Sequence, residues 1–174
     1  RIDAIYFGCD NYSSGHYLTR RLVNSNFRDI LLICGPGKVF TDTEASTAFQ
    51  EVLEENGIDT TDRVLTSDAT KEGAFKVSLQ SWINNPPQAI LSTSQAICQG
   101  VIEACKISGL RIPEDICLLS LGVDNWNTSS FYPNIIRTSR PAYMLAMQGC
   151  QALINLSVGS EEPANPFHLF RGSI

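Results

Sequence analysis

Residues 30–37, Ile30-Leu31-Leu32-Ile33-Cys34-Gly35-Pro36-Gly37, decide how this chain is built. Five apolar residues in a row have the length of a strand and lack the alternation of one that faces water. Both faces are therefore expected to be covered. The Gly-Pro-Gly turn ends the run. From Thr43 to Asn56 the apolar residues Ala48, Phe49, Val52 and Leu53 recur at helical spacing, and Asn56-Gly57 closes the helix. A covered strand followed by a turn and an amphipathic helix is one unit of a parallel α/β sheet.

The same unit repeats in both directions. Upstream, Ile2 to Phe7 reads as a strand ended by Gly8, and Ser13 to Val23 as a helix with Tyr17, Leu18, Leu22 and Val23 recurring. Downstream, Arg63-Val64-Leu65 is a short strand, and Lys71 to Ile83 a helix stopped by Pro86-Pro87. Ala89-Ile90-Leu91 is a strand, Ala96 to Ser108 a helix, and Ile116 to Leu121 a strand. After a polar loop, 124–132, come a strand at Ile135-Ile136, a helix from Pro141 to about Leu156, and a strand from Phe167 to Arg171. The order β-α-β-α-β-α-β-α-β-loop-β-α-β predicts an α/β fold with a largely parallel, doubly wound sheet. Ligands of such sheets bind outside the carboxyl ends of the strands, so loops 8–12, 35–42, 92–95 and 122–132 are the candidate site.

Composition narrows the chemistry. The 174 residues carry 18 acidic and 13 basic side chains, a formal charge of −5. With only Arg20-Arg21 as a basic cluster, these residues are not expected to bind DNA themselves. Six dispersed cysteines with no metal-ligand spacing fit small hydrophobes in a reducing cytoplasm, and no metal or cofactor is expected. No apolar run has the length of a membrane span, and no membrane contact is expected. His16 and His168 fall inside a helix and a strand, with no nucleophile elbow, so no enzyme is expected. The chain opens at Arg1 inside a predicted strand, and a fragment of a longer protein is expected.

Three clusters invite a closer look. Asp10-Asn11, at a strand end before a helix, offers the acceptor and donor groups that read sugar hydroxyls, and equally the residues of a helix cap. Asp124-Asn125-Trp126 repeats that pattern with an aromatic ring suited to stacking on a sugar face, or to anchoring a loop. Gly35-Pro36-Gly37 lacks the residues of a phosphate loop and reads as a turn, with anion contact near Thr41 to Thr43 left open.

Several segments resemble the LacI/GalR family of bacterial repressors in order and spacing. They are Asp10-Asn11-Tyr12 with Gly15 and Thr19-Arg20-Arg21-Leu22, then Ile30-Leu31-Leu32-Ile33 with Gly35-Pro36. Gly109-Leu110-Arg111-Ile112-Pro113-Glu114-Asp115-Ile116 is the most specific; Pro133-Asn134-Ile135-Ile136 with Arg140-Pro141, and Phe170-Arg171-Gly172-Ser173, complete the set.

The resemblance implies a periplasmic-binding-protein-like sensor of two α/β lobes with a small-molecule effector between them. Residues 30–139 would form the C-terminal, effector-binding lobe. Residues 1–29 would be a remnant of the N-terminal lobe, and 140–174 its return helix and closing strand. Apolar faces on helices 13–25 and 141–157 would then be left exposed. Carried over by position, Asp10 matches the family's effector-binding acid, Ser94-Gln95 stands for its Asn-Asp pair, and Arg140 falls where Gln is common. The clamping Arg falls on Ala45, and Leu121-Gly122-Val123-Asp124-Asn125 rewrites another block. The expected effector site is thus Asp10, Asn11, Ser94, Gln95, Asp124, Trp126 and Arg140. Ser94 with Gln99-Gly100 is similar to the branch containing fructose-type catabolite repressors, which implies a sugar or phosphosugar. The whole protein would be a cytoplasmic homodimer, bound to operator DNA through a headpiece missing from this chain. A periplasmic sugar-binding protein of a transport system is the alternative.

Overall fold

The computed structural model describes residues 5–37, 40–82, 85–122, 135–159 and 167–170. Along the chain these form β1 (Tyr6–Cys9), α1 (Asn11–Asn24), β2 (Ile30–Cys34), α2 (Phe40–Glu55), β3 (Val64–Thr66) and α3 (Lys71–Trp82). There follow β4 (Ala89–Ser92), α4 (Gln95–Ile107), β5 (Cys117–Ser120), β6 (Ile136–Arg137), α5 (Ala142–Ser157) and β7 (Phe167–Phe170). Among the described residues the predicted order of elements and the parallel α/β class both stand; the polar loop expected at 124–132 lies outside them.

Among the described residues the strands form two sheets, a pair β1-β7 and a five-stranded sheet ordered β3-β2-β4-β5-β6, each pairing parallel. In the larger sheet the chain runs outward from β2 to β3, then returns across β2 to begin β4. The helices therefore fall on opposite faces. Leu18, Leu22 and Val23 of α1 and Phe49, Val52 and Leu53 of α2 bury against Ile30, Leu32, Ala89, Leu91 and Leu119. On the other face Ala74 and Trp82 of α3 and Ile97, Val101 and Cys105 of α4 meet Ile33, Ile90, Ile116 and Leu118. Alternate residues of each strand serve alternate faces, which is why the strands read as unbroken apolar runs. Each large side chain so buried contributes about 1.5–3 kcal/mol of burial free energy.

Two small residues let the helices of each pair approach closely. Gly15 of α1 faces Ala45 of α2, where a Cβ on Gly15 would lie 3.2 Å from the Ala45 Cα. Gly100 of α4 sits against the first turn of α3, where a Cβ would meet the Lys71 carbonyl and lie 2.8 Å from the Ala74 Cβ.

Two expectations change here. Helix α1, expected with the first-lobe remnant and with an apolar face left open, packs on the larger sheet, and Leu18 and Leu22 are buried. The chain passes from the small sheet at Cys9 straight into this helix, so the leucines reach the β2 face without any intervening loop. The second helix behaves as expected: α5 has no buried residue, and Tyr143, Met144, Met147, Leu153 and Ile154 are exposed.

Candidate functional site

The return of the chain across β2 makes a topological switch point at the carboxyl ends of β2 and β4, the neighbours from which successive connections diverge and where such sheets hold their crevice. Gly35 follows β2 there, Asp42 lies in the first turn of α2, and Thr93 and Ser94 follow β4. Thr93 is buried, and its hydroxyl donates to Asp42 Oδ1 at 2.7 Å. That bond joins the two walls of the crevice. Asp42 is 7% exposed, and the aligned peptide dipoles at the start of α2 favour its charge. The anion contact left open near Thr41 to Thr43 is thereby answered by the protein's own carboxylate.

Beneath the crevice the last residues of β4 and β5 are in register, and Ser92 Oγ donates to Ser120 Oγ at 2.8 Å. Cys98 lies against these two hydroxyls, and burial pushes its thiol up to about 11. Cys105 is pushed to about 12 by the same cause. Both thiols stay protonated near neutrality and are not nucleophiles there.

The expected site residues divide by what already occupies them. Asp10 is a helix cap: its Oδ1 accepts from the Ser13 N–H at 2.9 Å, while its backbone N–H donates to the Phe170 carbonyl at 2.8 Å. It thus joins β7 of the small sheet to α1 of the large one. The Asn11 amide donates to the Cys9 carbonyl at 3.0 Å and to Glu44 at 3.1 Å. Ser94 caps α4, accepting from the Ile97 N–H, and Gln95 opens that helix half-buried. Arg140 is exposed beyond β6 and lies across Gly122, whose φ of 58° and missing side chain leave room for it. Its charge also reaches Cys9, where it partly opposes the upward shift that burial imposes on the thiol. Asp124 and Trp126 lie outside the described residues.

The structure therefore sets Asp10 and Asn11 at the end of β1, Ser94 and Gln95 at the end of β4, and Arg140 past β6. The sequence reading missed the Asp42–Thr93 pair, because a lone acid at a helix start reads as a first-turn charge. A hollow of about 340 Å³ lined by Leu79, Trp82, Pro86, Ser108 and Leu110 lies at the opposite end of the sheet, where α3 and α4 finish.

The periplasmic binding protein-like domain family matches residues 19–168. The chain belongs to that family. A curated relative is the HTH-type transcriptional repressor PurR of Glaesserella parasuis, 26% identical over 157 residues, covering 87% of this chain and 45% of the relative. Among solved structures, a LacI-family regulatory protein from Chloroflexus aggregans superposes with a TM-score of 0.87 at 17% identity, covering 98% of this chain and 62% of that one. A LacI-family regulator from Enterococcus faecium with bound ribose gives 0.82 at 14% identity, covering 95% and 61%. These likenesses bear out the resemblance to LacI/GalR repressors and the periplasmic-binding-protein-like fold. The chain spans about half the length of the curated relatives it matches.

Proposed function

We propose that this chain is the effector-sensing and dimerisation region of a LacI-type transcriptional regulator, working as a sensor rather than a catalyst. Its effector would be a sugar or phosphosugar, and operator DNA would be held by a headpiece outside these residues. In this reading 30–139 with α1 forms one lobe, while β1, α5 and β7 belong to the other. Expected site residues such as Asp10, Asn11, Ser94, Gln95 and Arg140 then border or hinge the cleft. Asp10 is the joint: its backbone is bonded to one sheet and its side chain caps a helix of the other. A ligand that prefers one arrangement of the lobes shifts the population toward it, and a DNA-binding headpiece responds.

The observation that carries the reading is the family match, with HTH-type transcriptional repressors among the relatives. As a transcriptional regulator like the repressors it resembles, it would act in the cytoplasm. Among the described residues no helix is long and apolar enough to cross a membrane. A gel-shift of the intact protein against the DNA upstream of its own reading frame tests the proposal. We expect a specific complex whose salt-corrected affinity changes with a sugar; absence of any specific complex overturns the regulator reading.

A further inference from the structure

We propose that the hollow where α3 and α4 finish is a second ligand site, separate from the effector crevice. It takes a small neutral ring that carries a carbonyl oxygen, and the Trp82 indole N–H donates to that oxygen.

Trp82 holds a donor without an acceptor. Its side chain is 3% exposed, and its Nε1 is buried with no hydrogen-bond partner among the described residues. A buried N–H left unbonded is destabilising, and such groups are ordinarily paired by protein, water or ligand. Ser78 Oγ, one turn earlier on α3, is also buried and unpartnered. A serine hydroxyl can rotate onto the carbonyl one turn before it. The indole N–H is fixed in the plane of its ring, and the ring is held in the core with Ile90, Val101 and Cys105. Its acceptor has to come to it.

Space adjoins the same ring. Trp82 lines the hollow of about 340 Å³ together with Leu79, Pro86, Ser108 and Leu110. That volume lies at the small end of ligand sites and suits a molecule of one ring. Leu79, Pro86 and Leu110 offer apolar surface, and Pro86 and Ser108 are exposed. None of these side chains is charged. Both α3 and α4 end here, and the partial negative charge of helix C-termini disfavours a carboxylate or phosphate. A neutral carbonyl meets the lone donor without that opposition. The crevice lies at the other end of α4, which Ser94 caps on that side and Ser108 on this one.

The test compares acetophenone with ethylbenzene, a ring of nearly the same shape without the oxygen. Both are titrated into the 174-residue chain and followed by nitrogen–proton correlation NMR. The chain has two tryptophans, and Trp82→Phe assigns the Trp82 indole resonance by its disappearance. Acetophenone is expected to move that resonance downfield in a saturable titration. It is expected to bind about three- to tenfold more tightly than ethylbenzene, the range for one net hydrogen bond. Benzoate is expected to bind more weakly than acetophenone. W82F keeps an aromatic ring and loses the donor, so it is expected to bind acetophenone and ethylbenzene equally. If W82F does not fold cooperatively, Ser108→Tyr, which fills the hollow from its exposed side, takes its place and is expected to abolish the movement. No saturable movement of the Trp82 resonance, equal affinity of the wild type for both rings, tighter binding of benzoate, a preference that survives W82F, or a movement that survives S108Y overturns the site.

Discussion

At the scale of single residues, one side chain can satisfy either a ligand or the backbone, and the local geometry decides which. Asp10 precedes a helix whose first amides need acceptors, and its Oδ1 meets the Ser13 N–H. Asp10→Ala is expected to lower stability by about 1 kcal/mol, read as a reduced urea midpoint with unchanged slope. The cysteines give a second residue-level prediction. Cys98 and Cys105 are buried with thiols raised to about 11 and about 12, whereas Cys150 is exposed on α5. At pH 7.5 a thiol reagent should label Cys150 first and reach Cys34, Cys98 and Cys105 only on unfolding. Rapid labelling of all six in the folded chain would contradict that burial.

At the scale of elements, the fold depends on two close helix crossings, one on each face of the large sheet. Gly100 admits the first turn of α3, and any side chain there meets backbone at Lys71 and Phe75. Backbone cannot rotate aside as a side chain would. Gly100→Ala is therefore expected to destabilise the chain by about 1–3 kcal/mol, measurable in thermal or urea unfolding, although alanine is the better helix former. These crossings are invisible to periodicity. A glycine inside a helical pattern registers only as a weak helix former, and its reason appears when the neighbouring helix is in place.

At the scale of the whole molecule, α5 stands apart. Its sixteen residues, Ala142–Ser157, include no charged side chain, and none of them is buried. An uncharged helix with Tyr143 at 74% and Leu153 at 68% exposure presents the kind of surface that is ordinarily covered by another layer. The 174-residue chain by itself is expected to self-associate with rising concentration. Sedimentation velocity should show that association weaken in a Tyr143→Ser, Leu153→Ser double variant, without loss of the cooperative core transition. A monomer at all concentrations would show that this surface is tolerated as it stands.

The sequence by itself determined the class of fold. Apolar runs such as Ile30 to Cys34 and helical spacings such as Ala48, Phe49, Val52 and Leu53 are local consequences of burial on both faces of a sheet. Burial acts on every residue of an element, so its period survives in one dimension. The motifs likewise carried the resemblance to repressors that the relatives bear out. Only the tertiary structure decided that α1 covers the five-stranded sheet, and only it joined Asp42 to Thr93 across 51 positions of chain. Pairings of that range leave no period. They arise from strand order, which is chosen by the packing of whole layers and not by any residue's immediate neighbours.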